Sequence, residues 1–145
     1  MIKIAHRGNQ SGPADNENDP FQLVATLSNG WDVEIDVWKT GDGFFLGHDS
    51  PRYQVDEQFL KDIGENAWYH CKNIEALEHF NKHLSDLRYF WHQEDAYTLT
   101  SNGYIWTYPG QKVTDRSILV HLGIPDLSKF EVMPYAICSD YVKDF

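Results

Sequence analysis

Short apolar runs alternate with polar segments along the whole chain, and the period of the pattern identifies each element. Ile2-Lys3-Ile4-Ala5 predicts a first strand. Asp19 stands as a helix N-cap with Pro20 at the first helical position and Asn29-Gly30 as the stop, and Phe21, Val24, Ala25 and Leu27 between them form the expected buried stripe. Residues 32–38 and 43–47 predict the second and third strands. Asp56 caps a short helix carrying Phe59, Leu60 and Ile63 and ended by Gly64. Residues 67–71 predict a fourth strand, and Ile74, Leu77, Phe80 and Leu84 recur at helical spacing, which predicts a helix over 74–86. Beyond it the helical pattern fades. Tyr89-Phe90-Trp91, Tyr104-Ile105-Trp106-Thr107, Ser117-Ile118-Leu119-Val120 and Tyr135-Ala136-Ile137-Cys138 each read as strands, joined through Gly103, Pro109-Gly110, Pro125 and Pro134.

Eight strands with early α-crossovers predict an α/β protein, and a closed parallel barrel satisfies such strands without leaving edges. Such barrels usually need about 250 residues. The expectation is therefore a compact, helix-poor (β/α)8 TIM-type barrel, one domain over residues 1–145. Barrel strands left bare by missing helices would need covering, and a homodimer is one way to cover them.

Composition narrows the class. Hydrophobic residues make up 41% and charged residues 23%, as in globular rather than disordered chains. A net charge of -10 argues against a sequence-independent grip on nucleic acid and against adhesion to anionic membranes. Cys71 and Cys138 each sit in an apolar strand-like run, so buried thiols are expected rather than a disulfide. Strand-like residues start at Ile2, where a signal peptide would lie, and no apolar stretch approaches spanning length. The expectation is a cytoplasmic protein with no membrane insertion.

The candidate chemistry gathers at strand ends. Side chains alternate along a strand, so Glu34, Asp36 and Trp38 share one face of 32–38 while Val33, Ile35 and Val37 share the other. Carboxylates pointing into a barrel are costly without a cation, and such oxygen ligands suit Mg2+ or Ca2+. A solvated edge of alternating polarity gives the same spacing, which leaves both readings open. His6 and His48 each close a strand and titrate where general acids and bases work; a strand-end histidine is also often only hydrogen-bonded and half-buried. Arg7 offers a fork for phosphate oxygens or a surface ion pair. His92 and His121 end later strands; contact with substrate is open to His92, and a structural role is the favoured reading of both. His79 and His83 stand four apart on a helix whose apolar stripe lies elsewhere, so they read as a solvated face. Trp38 and Trp106 are placed to line a pocket mouth.

Four motifs then occur in order: Ile4-Ala5-His6-Arg7-Gly8, Glu17-Asn18, Val33-Glu34-Ile35-Asp36-Val37 and Gly47-His48-Asp49. Together they resemble the N-terminal motifs of the glycerophosphodiester phosphodiesterases, a family of phospholipase-C-like barrels. The resemblance covers the first third of the chain. Weaker echoes are Ile105-Trp106-Thr107 and Ala136-Ile137-Cys138-Ser139-Asp140-Tyr141, where the family usually has Thr-Asp.

The resemblance implies that Glu34 and Asp36 ligate a metal, that His6 and His48 flank the phosphorus as an acid/base or nucleophilic pair, and that Arg7 holds a phosphate oxygen. It gives Glu17 a place at the metal or beside His6, Asn18 a bracing role in its loop, and Asp49 the orienting of His48 or its turn. On the fourth strand the family presents a glutamate ligand followed two residues on by a lysine. Here Lys72 matches the lysine and would face phosphate, while His70 stands at the glutamate position. Histidine moves metal preference from Mg2+ and Ca2+ toward Mn2+ or Zn2+. The expectation is metal-dependent hydrolysis, or cyclising cleavage, of a small phosphodiester such as a glycerophosphodiester, with Trp106 against the substrate. The alternative is a non-catalytic module of the same fold that binds a phosphorylated sugar or polyol.

Overall fold

The computed structural model describes all 145 residues. Its strands are β1 (Ile2–Ala5), β2 (Asp32–Thr40), β3 (Gly43–Leu46), β4 (Tyr53–Val55), β5 (Ala67–Cys71), β6 (Arg88–Phe90), β7 (Tyr97–Leu99), β8 (Ile105–Thr107), β9 (Ser117–Val120) and β10 (Ala136–Ser139). Three helices accompany them: α1 (Pro20–Ser28), α2 (Glu57–Ile63) and α3 (Ile74–His83). Local chemistry starts each helix where the sequence places it. Asp19 Oδ1 accepts from Phe21 N, Asp56 Oδ1 from Phe59 N, and the Asn73 side chain from Ala76 N.

The strands form one mixed sheet in the order β4-β3-β2-β1-β10-β9-β8-β7, with β5 and then β6 continuing from the opposite edge of β2. The run β6-β5-β2-β1-β10-β9-β8 is parallel throughout. The sheet curls into a half-barrel, and the expected (β/α)8 barrel is not the fold. Two features account for the difference. The run at 43–47 is no barrel stave: β3 folds back antiparallel on β2, with Thr40 opposite Gly43, and then pairs with β4. After α3 the chain has only strands, turns and one 3-10 turn at Leu127–Lys129, so nothing carries a helical crossover around the second half. The β6 and β8 strands share no ladder. The gap between them is bridged by Ser101 N donating to Tyr89 O at 2.8 Å, by Thr98 Oγ1 donating to Trp91 O, and by Phe90 stacked on Trp106 at 4.2 Å.

The alternation along β2 separates two cores. Val33, Ile35 and Val37 join Ala5, Leu23, Tyr69 and Phe80 in a cluster under the helices. Ile4, Trp68, Phe90, Trp106, Ile118, Ala136 and Cys138 fill the inside of the curl. Both cysteines are buried free thiols. The helix faces differ from the expected stripes. Phe21 is 88% exposed and Val24 is exposed, while Leu23 and Thr26 are buried. Thr26 is held there because its hydroxyl donates to Gly8 O at 2.9 Å and accepts from Gln10 Nε2. On α3 the expected Phe80 and Leu84 are buried and Leu77 packs against the core, while Ile74 is 64% exposed and Ala76 is buried in its place. No helix is long and apolar enough to cross a membrane.

Candidate functional site

The C-terminal ends of the parallel strands open into one cavity of about 360 Å³, the position at which parallel sheets carry their ligands. Odd–even alternation aims Glu34 and Asp36 of β2 inward, and the register that sets Asp36 beside His70 brings the β5 side chains to the same level. His6, Arg7, His48, Lys72 and Trp106 line the same cavity.

Glu34, Asp36 and His70 form a cluster whose ligand atoms all lie within 4.8 Å of one another. Three observations fit it to a divalent cation. Asp36 Oδ1 is buried and unpaired, with His70 Nδ1 3.2 Å from it. His70 Nε2 donates to His92 O at 2.8 Å, which leaves Nδ1 turned to the two carboxylates, the outer-shell arrangement common to metal-ligating histidines. The third observation is electrostatic: burial, and then Asp36, push the Glu34 carboxyl up to about 7. Burial acts the same way on Asp36, but His70, Asn18 and Lys72 outweigh it and hold that carboxyl down near 2. Two buried carboxylates that cannot both ionise cheaply are relieved by a cation between them. The imidazole is part of the column His70–Phe90–Trp106, with ring centroids 5.0 and 4.2 Å apart, which fixes its plane.

Two histidines face this cluster, each with a carboxylate at its far nitrogen. His6 Nδ1 lies 2.8 Å from Asp140 Oδ1, and its Nε2 points toward Glu34 at 4.0 Å. An ionised Asp140 only accepts, so it assigns the proton to Nδ1 and leaves Nε2 for proton transfer. Burial lowers the His6 pKa, yet the Asp140 hydrogen bond and the Glu34 charge more than offset it, and the net direction is upward. His48 Nδ1 lies 2.8 Å from Asp49 Oδ1 on an exposed turn. That turn is tied to β2 by Gly47 N donating to Asp36 O and by Trp38 Nε1 donating to Gly47 O at 2.7 Å. Gly47 has φ 153°, and a Cβ there would meet Ser50 O at 2.2 Å, so only glycine fits.

The remaining expected residues divide between the cavity and its supports. Arg7 adopts φ 53°, which turns its N–H to Glu34 Oε2 at 3.1 Å. Its guanidinium is paired with Glu17 at 2.9 Å and lies 3.5 Å from Asp36. Glu17 is therefore a partner of Arg7 and of Asn9 Nδ2, and it stands outside the three-residue cluster. Asn18, fully buried at φ 62°, brackets Asp36: Nδ2 donates to Oδ2 and Oδ1 accepts from the Asp36 N–H, both at 2.9 Å. Lys72 Nζ lies 3.9 Å from Asp36 Oδ1. Trp106 is buried beneath the cavity rather than at its mouth, and Trp38 anchors the His48 turn.

Asp140, Asn9 and Tyr108 carry no role in the sequence motifs, and a structural role is the favoured sequence reading of His92 over substrate contact. Asp140 and Asn9 sit beside His6, and His92 and Tyr108 line the cavity. The parity of β10, with Ala136, Cys138 and Asp140 on one face, was the available signal for Asp140. His121, His79 and His83 lie outside this cavity; His79 pairs with Glu57. No protein-family model matches the chain, and no curated protein matches it.

Proposed function

We propose that the protein is a metal-dependent phosphodiesterase acting on a small phosphodiester. The observation that carries this reading is that one cavity receives both the Glu34–Asp36–His70 cluster and two histidines backed by carboxylates. The motif resemblance to the glycerophosphodiester phosphodiesterases agrees with it, and so does the position at the strand ends.

Glu34, Asp36 and His70 Nδ1 would hold the cation, which supplies Lewis-acid charge at a non-bridging phosphate oxygen. The carboxylates favour Mg2+ or Ca2+, and the imidazole favours Mn2+ or Zn2+. Lys72 neutralises charge that develops on the phosphoryl oxygens, and the Arg7 guanidinium adds positive potential at the same wall. One of His6 and His48 takes the proton of the attacking hydroxyl as the new O–P bond forms. The other gives its proton to the alkoxide as the old P–O bond breaks. Water as the attacking group gives a monoester and an alcohol; a neighbouring hydroxyl of the substrate gives a cyclic phosphate and the same alcohol. The reading places this chemistry in the cytoplasm.

A binding-only reading is favoured by one observation, that the Arg7 guanidinium is already engaged by Glu17 and faces Asp36. Metal-stripped protein separates the two. Phosphodiester turnover restored by one divalent cation and lost in Glu34→Ala supports the enzyme. Saturable cation binding with no turnover on any small diester supports the binding module.

A further inference from the structure

The cavity is chemically divided. Its ionic wall comes from β1, β2, β5 and the His48 turn. Its opposite wall comes from the tips of β6, β8 and β9, where Trp106, Tyr108, Pro109, Val120 and Leu122 are joined by His92 and Gln93 at one end. None of these five carries a charge. Trp106 is buried at the base, while Tyr108 and Leu122 remain 45% and 46% exposed at the lip.

The apolar wall has a fixed shape. Tyr108 N donates to Ala96 O at 2.9 Å, and the Tyr108 ring lies nearly parallel to that of His92, with 23° between planes and 5.9 Å between centroids. His92 is pinned in turn, its Nε2 donating to Asp95 O at 2.7 Å and its carbonyl accepting from His70. The residue that orients the His70 ring thus also supports the aromatic side of the opposite wall. Such rigid aromatic surface is the usual means of gripping a planar or compact apolar group at low entropic cost.

Resting on the phosphodiesterase reading, we infer that the wall of Tyr108, Leu122, Pro109 and Val120 is the subsite for one ester arm of the substrate, and that this arm is a compact ring-bearing apolar alcohol rather than a glycerol-like polyol. Two features select that class. Among Tyr108, Leu122, Pro109 and Val120 the only side-chain hydrogen-bonding group is the Tyr108 hydroxyl, so a polyol lying against them would leave most of its hydroxyls unpaired, which is costly. A cavity of about 360 Å³ lies at the small end of ligand sites, with room for a phosphate and a single ring but not for an enclosed acyl chain.

The test compares benzyl methyl phosphate with dimethyl phosphate on metal-loaded protein, because both are methyl phosphodiesters and differ in the ring-bearing arm. Affinity is read by calorimetry and turnover by product release. The expected result is a preference of roughly tenfold or more for the benzyl ester, the scale of apolar subsite discrimination. Tyr108→Ala should reduce that ratio toward one, and Tyr108→Phe should restore it. Equal affinity for the two esters, or a preference that survives Tyr108→Ala, overturns the subsite even when both esters are turned over. A tenfold preference in binding without turnover keeps the subsite and overturns the catalytic reading. Failure of both esters to bind overturns both.

Discussion

The bracket around Asp36 carries much of the site, and Asn18→Ala tests it. The alanine keeps the backbone bond from residue 18 N to Arg7 O but removes both side-chain bonds to Asp36. The Asp36 N–H is then buried and unpaired, at about 1–3 kcal/mol, and the ionised carboxylate loses a donor worth about 1.5–3 kcal/mol. Alanine also tolerates φ 62° less well than asparagine, at about 1 kcal/mol. Together these come to about 3.5–7 kcal/mol, a large share of the total stability of roughly 5–15 kcal/mol expected of a domain. In urea the midpoint should fall by about 2–3 M. The loss should depend on pH. Asp36 has a folded pKa below its unfolded value, so it contributes stability above the ordinary carboxylate range and loses it as pH falls through about 2. Asn18 is one cause of that depression, so the deficit should be largest near neutrality and narrow in acid. Divalent cation affinity should fall by roughly 10–100-fold, as for other supporting residues of metal sites. A stability change under about 1 kcal/mol, with cation affinity unaltered, would refute the reasoning.

Three further outcomes follow from the same geometry. Because the metal-free Glu34 carboxyl is pushed up to about 7, a cation must displace its proton below that pH; apparent affinity should rise from pH 6 to 8 with proton release, and calorimetry in buffers of different ionisation heat would detect it. A pH-independent affinity contradicts this. His70→Glu should shift cation preference from Mn2+ or Zn2+ toward Mg2+ or Ca2+, measured as a ratio of dissociation constants, and an unchanged ratio would remove His70 from the ligand set. Gly47→Ala should displace the His48 turn while leaving the Glu34–Asp36–His70 cluster in place, so turnover should fall at least tenfold with cation affinity retained; equal loss of both would show that the turn supports the whole site.

Much of the sheet was legible because its strands are short apolar runs bounded by turn residues. The ionic face of β2 was legible because a period of two leaves no third direction for Glu34 and Asp36. Closure was not, since it depends on hydrogen bonds between strands far apart in sequence. The role of 43–47 was misread because alternation does not distinguish a parallel stave from a hairpin arm; the short turn Gly41-Asp42 was the local sign of the hairpin. The buried face of α1, and the first residue of the α3 stripe, differ from expectation because Thr26 is drawn inward by hydrogen bonds and Ala76 is buried, leaving Phe21 and Ile74 outside; Phe80 and Leu84 are buried as expected. In the site, the cavity gathers His6, Arg7, Glu34, Asp36, His48, His70 and Lys72 from separate elements. Glu17, expected at the metal or beside His6, pairs with Arg7 at 2.9 Å, because a carboxylate in a motif does not show which cation it will meet.

The central claim joins a cation cluster to proton transfer by His6, and His6→Ala read two ways tests it most directly. Phosphodiester turnover and cation affinity would be measured on the same preparations of wild type and variant. Turnover should fall by at least about a hundredfold, the contribution of a positioned acid or base, while cation affinity stays within a few-fold. Turnover that survives the substitution, or is absent from the wild type with every divalent cation, would contradict it.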